Sequence, residues 1–284
     1  MKKKFLLIIF LLPLIASAQQ KYKDFKTTAS GLKYKVIEDK KGAKSQMGFM
    51  IKIFLTYSTE KDSVVFSSKM IGEGAELKID KPQYKGDPME GFALMGAGDS
   101  MLFLVPSDSM FKGGAGRPAY ATPGSYLKLG VRMLSSMSQA DYDAAKMKEA
   151  SGQIAIDDNI IQQYIKDKGL TAQKTATGLY YVTEKQGDGD KVVPGKKVTV
   201  NYTGKLTNGT MFDSSLNPGR EPFSFTIGQH QVITGWDEGI ALFNVGGKGT
   251  LLIPSALGYG SRGAGGSIGP NSVLIFDIEV LKVE

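Results

Sequence analysis

The stretch EGIALFNVGGKGTLLIPS, Glu238 to Ser255, decides how the chain is organised, because a related stretch occurs earlier in the sequence. EGFALMGAGDSMLFLVPS, Glu90 to Ser107, aligns with it without a gap. The matches continue outward in the same order. Before this stretch, ASGLKY (Ala29–Tyr34) matches ATGLYY (Ala176–Tyr181), and after it GAG (Gly114–Gly116) matches GAG (Gly263–Gly265). Similarity that keeps its order over about a hundred residues indicates that one domain is present twice.

Each copy has the pattern of an antiparallel sheet with one short helix. KVTVNYTGKL (Lys197–Leu206) and PFSFTI (Pro222–Ile227) alternate apolar and polar residues, as half-buried strands do. Asn208-Gly209 predicts a hairpin turn after the first of them. The exception is TGWDEGIALFN (Thr234–Asn244), where Trp236, Ile240 and Phe243 recur at helical spacing. We therefore predict an α+β fold, with a curved antiparallel sheet wrapped on a short helix in each copy.

A polar stretch, residues 135–173, separates the two copies and has helical character. We predict one helix before Ser151-Gly152 and a second one after it, starting from an Asp cap and ending at Gly169. The second helix carries an apolar face made of Ile160, Ile161, Tyr164 and Ile165. A spacer with one face docked on a domain is favoured over a partner-binding helix.

The first eighteen residues, MKKKFLLIIFLLPLIASA, have the pattern of a secretory signal peptide. Three lysines precede an apolar run that is short for a bilayer span, and Ala16-Ser17-Ala18 forms a cleavage site. A retained membrane anchor is the less favoured alternative. We expect cleavage after Ala18 and a periplasmic or secreted protein that is not integral to the membrane. The predicted segments are a signal peptide (1–18), a first domain (19–134), a helical linker (135–173) and a second domain (174–284).

The composition excludes several classes of function. The chain has no Cys and one His, His230, which leaves no basis for a multi-His or Cys metal site, and we predict no metal and no cofactor. His230 is predicted to be an exposed turn residue without a catalytic role. With 35 Lys and Arg against 28 Asp and Glu, three of the lysines in the signal, the remaining net charge is +4. The basic residues are interleaved with acidic ones, so we predict no nucleic-acid partner.

Five motifs of the second copy together resemble the FKBP-type peptidyl-prolyl cis-trans isomerases. They are VNYTGKLTNGTMFDSS, PFSFTIG, VITGWDEGIAL, LLIPSALGYG and VLIFDIEVLKVE, and the similarity covers about Leu179 to Glu284. The resemblance implies two FKBP-like domains, rotation of X-Pro amides, proline-containing polypeptide clients and macrolide inhibitors. The layout with a signal peptide and two copies is similar to exported members of the family from Gram-negative bacteria.

The resemblance also implies a set of pocket residues in the second copy. Trp236 matches the floor beneath the prolyl ring, Asp213 the carboxylate at the edge, and Tyr259 a hydroxyl donor to a ligand carbonyl. The Ile233 amide matches a second donor, and Ile268 an apolar lip. The apolar and aromatic wall corresponds to Tyr202, Phe212, Phe223, Val232, Ile233 and Phe276. We assign catalytic roles to Asp213, Tyr259, Phe212 and Trp236, and substrate binding to the others. The altered segment after Asp213, LNPGRE, leaves open whether Arg220 meets that carboxylate.

The first copy lacks these residues in the sequence alignment. Pro88 aligns with Trp236, while Tyr84, Lys85 and Phe111 align with Val232, Ile233 and Tyr259. In VVFSS, Phe66 is matched to Phe212, which sets Ser67 against Asp213. We predict that the first domain folds but is not an active isomerase. It is left open whether it binds client chains or forms a homodimer, and whether the whole chain is a chaperone or assembly factor that does not need turnover.

Overall fold

A computed structural model describes residues 22–72, 74–112 and 116–284, so the predicted signal peptide lies outside the described residues. The chain divides into two compact units, one ending at Ala145 and the other spanning Lys146–Glu284. Within the described ranges, no helix combines the length and the apolar character needed to cross a membrane.

The first unit is built on a seven-stranded antiparallel sheet. Its strands are β1 (Lys26–Thr27), β2 (Lys33–Glu38), β3 (Met50–Ser58), β4 (Val64–Ser67), β5 (Ala75–Lys78), β6 (Ser100–Pro106) and β7 (Tyr126–Met137). The order is β1-β2-β6-β7-β3-β4, with β5 also paired to β3. The helical segments are a 3-10 helix (Ser68–Ile71), α1 (Pro88–Phe92) and α2 (Ser107–Met110). Phe92 of α1 packs into the core of the sheet, edge-on to Phe103.

A single helix of 30 residues, α3 (Gln139–Lys168), follows the first sheet. The predicted break at Ser151-Gly152 is wrong, because both residues continue the helix. A Cβ added at Gly152 would meet nothing, and one glycine among good helix formers costs only about 1 kcal/mol. The helix ends before Gly169, whose φ of 63° is left-handed, as predicted.

The second half of α3 lies on the outer face of the second sheet. Ile161 is fully buried among Tyr180, Leu252, Val273 and Ile275. Tyr164 and Ile165 pack against the same cluster, but Ile160 is 38% exposed, so its predicted place on the docked face is wrong. The predicted Asp cap is also wrong, because Asp157 lies inside the continuous helix.

The second unit repeats the strand order of the first. Its strands are β8 (Gln173–Lys174), β9 (Tyr180–Lys185), β10 (Lys197–Leu206), β11 (Met211–Ser214), β12 (Phe223–Thr226), β13 (Lys248–Ile253) and β14 (Leu274–Val283). They are ordered β11-β10-β14-β13-β9-β8, with β12 also paired to β10. Helix α4 (Thr234–Gly239) is followed by 3-10 helices at Ile240–Leu242, Ser255–Leu257 and Gly260–Arg262. The predicted α+β class, with two antiparallel sheets each carrying short helices, is confirmed.

The Glu-Gly pair that both copies keep holds a helix against its sheet. Glu238 accepts hydrogen bonds from Thr177 Oγ1 at 2.7 Å, and Glu90 accepts one from Thr28 Oγ1 at 2.6 Å. A Cβ added at Gly239 would lie 2.7 Å from Leu251 Cδ1 on β13. The Glu-Gly pair that both copies share therefore has a structural role. Trp236, two positions before Glu238, has no aromatic counterpart in the first copy.

Candidate functional site

A pocket of about 530 Å³ opens on the second unit and is lined by every residue assigned to it from the sequence. These are Tyr202, Phe212, Asp213, Phe223, Val232, Ile233, Trp236, Tyr259, Ile268 and Phe276. They come from four strands, the start of α4 and the loop between β13 and β14, so only the fold brings them together. Five further lining residues were not predicted as members: Arg220, Gln231, Ala264, Gly265 and Ser267.

Trp236 forms the floor of this pocket in the centre of an aromatic cluster. It is 5% exposed and lies on α4. The rings of Tyr202 and Phe276 stand edge-on to it, with centroids 5.0 and 5.1 Å away, and Phe223 lies 6.0 Å away. Edge-to-face pairs of this kind contribute about 0.5–1.5 kcal/mol each beyond area burial. The cluster therefore holds the indole in one orientation, with its remaining free surface in the pocket.

The indole N–H of Trp236 is a buried donor without a hydrogen-bond partner in the described part of the chain. Such a group costs about 1–3 kcal/mol relative to a hydrogen-bonded one. Unsatisfied buried groups are rare in folded proteins and concentrate at functional sites. The unpaired indole N–H is therefore a second feature, besides the aromatic cluster, that makes the pocket floor a candidate site.

One wall of the pocket depends on Gly204, which sequence reasoning missed. The rings of Phe212 and Phe276 meet edge-on at 5.5 Å directly over this residue of β10. A Cβ at Gly204 would lie 2.6 Å from Phe212 Cε2 and 2.7 Å from Phe276 Cε1. The sequence signal was a glycine inside an otherwise alternating strand, which indicates close approach of another group.

Asp213, Tyr202 and Arg220 form the polar edge of the pocket. The Tyr202 hydroxyl donates to Asp213 Oδ2 at 2.5 Å, and Arg220 Nη2 donates to Asp213 Oδ1 at 3.3 Å. The question left open by the altered segment is therefore answered, since Arg220 does reach Asp213. That ion pair is half exposed on both sides and contributes at most about 1 kcal/mol. The hydrogen bond from Tyr202 is the stronger element of the edge.

The Tyr202 phenol is held in its neutral form. Burial, reinforced by the hydrogen bond to Asp213 and the charge of that carboxylate, raises the pKa of Tyr202 from 10.0 to about 12. At neutral pH the hydroxyl is therefore a fixed donor to Asp213, and the ring edge keeps its orientation toward Trp236.

This raised pKa predicts a stability change at high pH. Between pH 10 and 12 the unfolded chain loses the Tyr202 proton while the folded chain keeps it. The contribution to stability is therefore complete below pH 10 and is lost as the pH rises to 12. We expect the free energy of unfolding of Tyr202→Phe to fall less over this interval than that of the unmodified chain, as measured by urea denaturation. Equal slopes in the two proteins would contradict the assignment.

Two hydrogen-bond donors and an apolar lip complete the pocket. The Ile233 N–H, at the entry to α4, donates to no other group within the described ranges, and the Tyr259 side chain is 42% exposed. Ile268 is 7% exposed and sits in the late loop, where Ala264 and Ile268 are bridged through their backbones. Both donors are thus available to a carbonyl held above Trp236. His230, by contrast, is an exposed turn residue with a φ of 54°, as predicted.

The strand register of the first unit corrects one residue of the sequence comparison. Thr56 pairs with Ser67 and Thr203 pairs with Ser214, and each pair is joined by a hydroxyl hydrogen bond, at 3.0 and 2.9 Å. One step on, Tyr57 pairs with Phe66 where Gly204 pairs with Asp213. Phe66 thus stands at the position of Asp213, and the assignment of Ser67 to that position is wrong. The sequence alignment set Phe66 against Phe212 because both are phenylalanine, and this shifted it by one residue. The pairing register of the strands determines which residues are structurally equivalent.

The first unit has no equivalent pocket residues at the corresponding ladder positions. Leu55, Ala75 and Leu129 occupy the positions of Tyr202, Phe223 and Phe276. Tyr57, at the position of Gly204, packs against the first core together with Tyr84. Burial raises the pKa of Tyr57 to about 12, which reflects how far this ring is withdrawn from water. The first unit therefore has a large ring where the second has only Gly204, and smaller side chains where the second has its pocket aromatics.

Comparison with known proteins shows which proteins this chain is similar to, and the matching family model covers part of the second unit. A family model described as FKBP-type peptidyl-prolyl cis-trans isomerase matches residues 189–281. An FK506-binding protein of Neisseria meningitidis serogroup A is 56% identical over 98 residues, covering 34% of this chain and 89% of that protein. The peptidyl-prolyl cis-trans isomerase Fkbp12 of Drosophila melanogaster is 51% identical over 108 residues, covering 38% of this chain and 99% of that protein.

A longer match and a solved structure extend beyond this region. The probable FKBP-type peptidyl-prolyl cis-trans isomerase FkpA of Neisseria meningitidis serogroup B is 40% identical over 139 residues, covering 49% of this chain and 47% of that protein. The crystal structure of FkpA from Escherichia coli is 38% identical, with a TM-score of 0.42, and covers 51% of this chain and 66% of that one. On the strength of the relatives matched over most of their length, the chain belongs to the FKBP-type peptidyl-prolyl cis-trans isomerase family and is an enzyme of that type.

Proposed function

We propose that the second unit catalyses rotation of X-Pro amides by holding the prolyl ring on Trp236, and that the chain does so as an exported folding catalyst. The observation that carries the proposal is the convergence of all ten assigned residues on one pocket with an aromatic floor and wall. The segment division predicted from the sequence, 1–18, 19–134, 135–173 and 174–284, is part of the proposal.

The chemistry asks for no nucleophile and no general base. Rotation about an amide breaks no covalent bond but crosses a barrier of ~18–20 kcal/mol, because planarity is stabilised by resonance. A twisted amide is less polar than a planar one, so moving it out of water favours the twisted form. Each tenfold acceleration requires only about 1.4 kcal/mol of such preference. An apolar slot with fixed donors supplies it by binding the transition state better than the ground state.

The residues of the pocket divide this task between them. Trp236, Phe212 and Phe276 enclose the prolyl ring and exclude water. Tyr259 and the Ile233 amide donate to carbonyl oxygens of the substrate and hold its backbone while the amide turns. Asp213 acts through Tyr202, from whose hydroxyl it accepts a hydrogen bond at 2.5 Å, and it places a negative charge at the edge of the pocket.

A substitution of Asp213 tests this assignment. We expect Asp213→Ala in the full chain to lower kcat/KM for an X-Pro peptide about fivefold, because one charge-assisted hydrogen bond to the pocket wall is lost. Asp277→Ala is the matched control: it removes a half-exposed carboxylate that is bonded to Lys205 on the neighbouring strand and does not line the pocket. The assignment fails if both variants retain full activity or if both lose it equally.

The proposed cellular role is that of an exported folding catalyst, and it rests on the signal-peptide pattern at the start of the sequence. The pattern of the first eighteen residues supports export to the periplasm or beyond, where proline-containing polypeptides fold. Exchange of X-Pro bonds takes tens of seconds and limits folding, so such a catalyst has a defined task. The relatives named FK506-binding proteins support macrolide binding in the same pocket.

A second function, client binding without turnover, is favoured by the first unit. It keeps the strand order of the second while its ladder positions carry none of the pocket aromatics. Retention of the sheet alone suits a chaperone or assembly role, or homodimer formation. The two functions separate in a refolding assay with a client whose folding is not limited by proline. Suppression of aggregation that survives the Asp213→Ala substitution would support the binding role, and light scattering would give the oligomeric state.

A further inference from the structure

Asp157 is a buried carboxylate on α3 that the pocket assignment does not use. It is 1% exposed and lies in the second unit. Its Oδ2 accepts hydrogen bonds from the Ser255 N–H at 2.7 Å and the Ser255 hydroxyl at 2.6 Å. Its Oδ1 accepts one from Gln153 Nε2 at 2.7 Å. Burial of a carboxylate is expensive unless it is fully hydrogen-bonded, so this arrangement is specified by the fold.

The partner of Asp157 begins the 3-10 helix Ser255–Leu257. The residue before that helix is Pro254, which offers no side-chain cap. The first N–H groups of a helix need acceptors, and a carboxylate at this end is favoured by charge. Asp157 supplies the cap from a helix that precedes Ser255 by 98 residues in the sequence.

This 3-10 helix leads directly into Tyr259 of the pocket. The Gly258 N–H donates to Ser255 O at 3.0 Å, and Tyr259 follows. Beyond it, the Asn271 N–H donates to Gly260 O at 2.8 Å. The loop that carries Tyr259 is therefore held at one end by Asp157 and at the other by Asn271. Loss of the hydrogen bonds between Asp157 and Ser255 would free the start of this loop.

The first unit holds the equivalent serine without the connecting helix. Ser107, which aligns with Ser255, is fully buried. Its hydroxyl donates to Thr122 O at 2.7 Å and its N–H donates to Ser125 O at 3.0 Å, both within its own loop. Support from α3 is thus a feature of the unit that has the pocket.

Helix α3 is itself fixed to the second sheet close to Asp157. Asp158 accepts a hydrogen bond from the Tyr180 hydroxyl at 2.7 Å and pairs with Lys174. Ile161, one turn further on, is fully buried on the same sheet. A side chain presented from an element with this support is suited to hold another group within a fraction of an ångström.

We propose that Asp157 is a positioning residue for the isomerase, which orients the Tyr259 hydroxyl through Ser255 and makes the second half of α3 part of the active unit. This rests on the proposed role of Tyr259 in the pocket. Asp157 contacts no substrate. Its effect on turnover passes entirely through the loop that carries Tyr259.

The test is a double-mutant cycle in the full chain, with kcat/KM for an X-Pro peptide as the readout. We expect Tyr259→Phe and Asp157→Ala each to lower kcat/KM about fivefold, since small misplacement of a positioning group is costly. The double variant should be no worse than Tyr259→Phe alone, because both changes remove the same contribution. Asp157→Asn should recover most of the activity, because its amide oxygen still accepts from Ser255.

Two further variants keep the test decisive. Ser255→Ala removes the hydroxyl donor but keeps the Asp157 carboxylate and its hydrogen bond from the backbone N–H of residue 255. We expect this variant to fold and to have a kcat/KM about twofold to threefold lower. Asp167→Ala removes an exposed carboxylate of α3 that accepts a hydrogen bond from Gln163 on the same helix, and should leave activity unchanged.

The outcomes separate the two proposals. If Tyr259→Phe is fully active, both the role of Tyr259 and the positioning role of Asp157 are overturned. If Tyr259→Phe is impaired but Asp157→Ala and Ser255→Ala are not, the positioning role alone is overturned. Losses that multiply in the double variant, to about twenty-fivefold, would also overturn it, because a purely structural defect acts equally in both backgrounds.

Discussion

Replacement of Trp236 by alanine is expected to lower kcat/KM for X-Pro isomerisation about a hundredfold. The prolyl ring loses its floor, and burial of an apolar group of that size contributes about 1.5–3 kcal/mol, whose upper end corresponds to about a hundredfold in rate. The free energy of unfolding should fall by about 3–5 kcal/mol, because the indole is 5% exposed and surrounded by four rings. Stopped-flow or protease-coupled isomerisation assays and urea denaturation followed by circular dichroism measure the two effects.

Phe243→Ala distinguishes loss of the floor from loss of stability. Phe243 is fully buried in the same core cluster but does not line the pocket. We expect a comparable loss of stability, with kcat/KM of the folded fraction close to that of the unmodified chain. Equal catalytic loss in the two variants would show that Trp236 acts only as core, and would refute its assignment as the floor.

Replacement of Gly204 by tyrosine, the residue that the first unit has at the equivalent position, should close the pocket. Gly204→Tyr places the equivalent of Tyr57 where the rings of Phe212 and Phe276 meet, within 2.7 Å of the new Cβ. The rings must move into the pocket or the strand must shift, which costs about 1–3 kcal/mol or more. We expect turnover to fall about a hundredfold or to the uncatalysed rate, since the prolyl ring can no longer reach Trp236.

Two alanine variants control for the effect of adding a side chain to a strand glycine. Gly204→Ala should give an intermediate loss, because one methyl group already collides with both rings. Gly130→Ala adds the same methyl group to β7, where the nearest atom is Thr56 O at 3.9 Å. That variant should keep full activity and stability. If Gly204→Tyr remained as active as Gly130→Ala, the wall of the pocket would have been assigned incorrectly.

The parts of the fold that could be predicted are those encoded in local patterns. Alternation in β10 and β12, the Asn208-Gly209 turn and the spacing of Trp236 and Ile240 each describe one element, and each is present in the structure. The resemblance then brought the ten pocket residues together, because nine of them lie within motifs of fixed order and Ile268 lies in the loop between the last two motifs. Gly204 lay in one of those motifs, but its role emerges only when two rings from other strands are seen above it.

The features that could not be predicted depend on contacts without a local signal. Asp157 has the pattern of a helix cap, and it does cap a helix, but one that starts far away in the chain. The structural equivalence of Phe66 and Asp213 is visible only in the strand pairing. In each hairpin a bulge lies next to the pair that contains this residue. Residue identity misleads at such a position, because one step along a strand moves the side chain to the other face.

The single tryptophan has a practical consequence for work on this enzyme. Light at the red edge of aromatic absorption excites Trp236 alone, and the chain has no second indole to dilute its emission. Because the ring is buried beside Tyr202 and Phe276, its fluorescence reports on the pocket and on the core that supports it. Ligands, inhibitors and substrate peptides can thus be titrated against the unlabelled chain, with the floor of the site serving as its own optical probe.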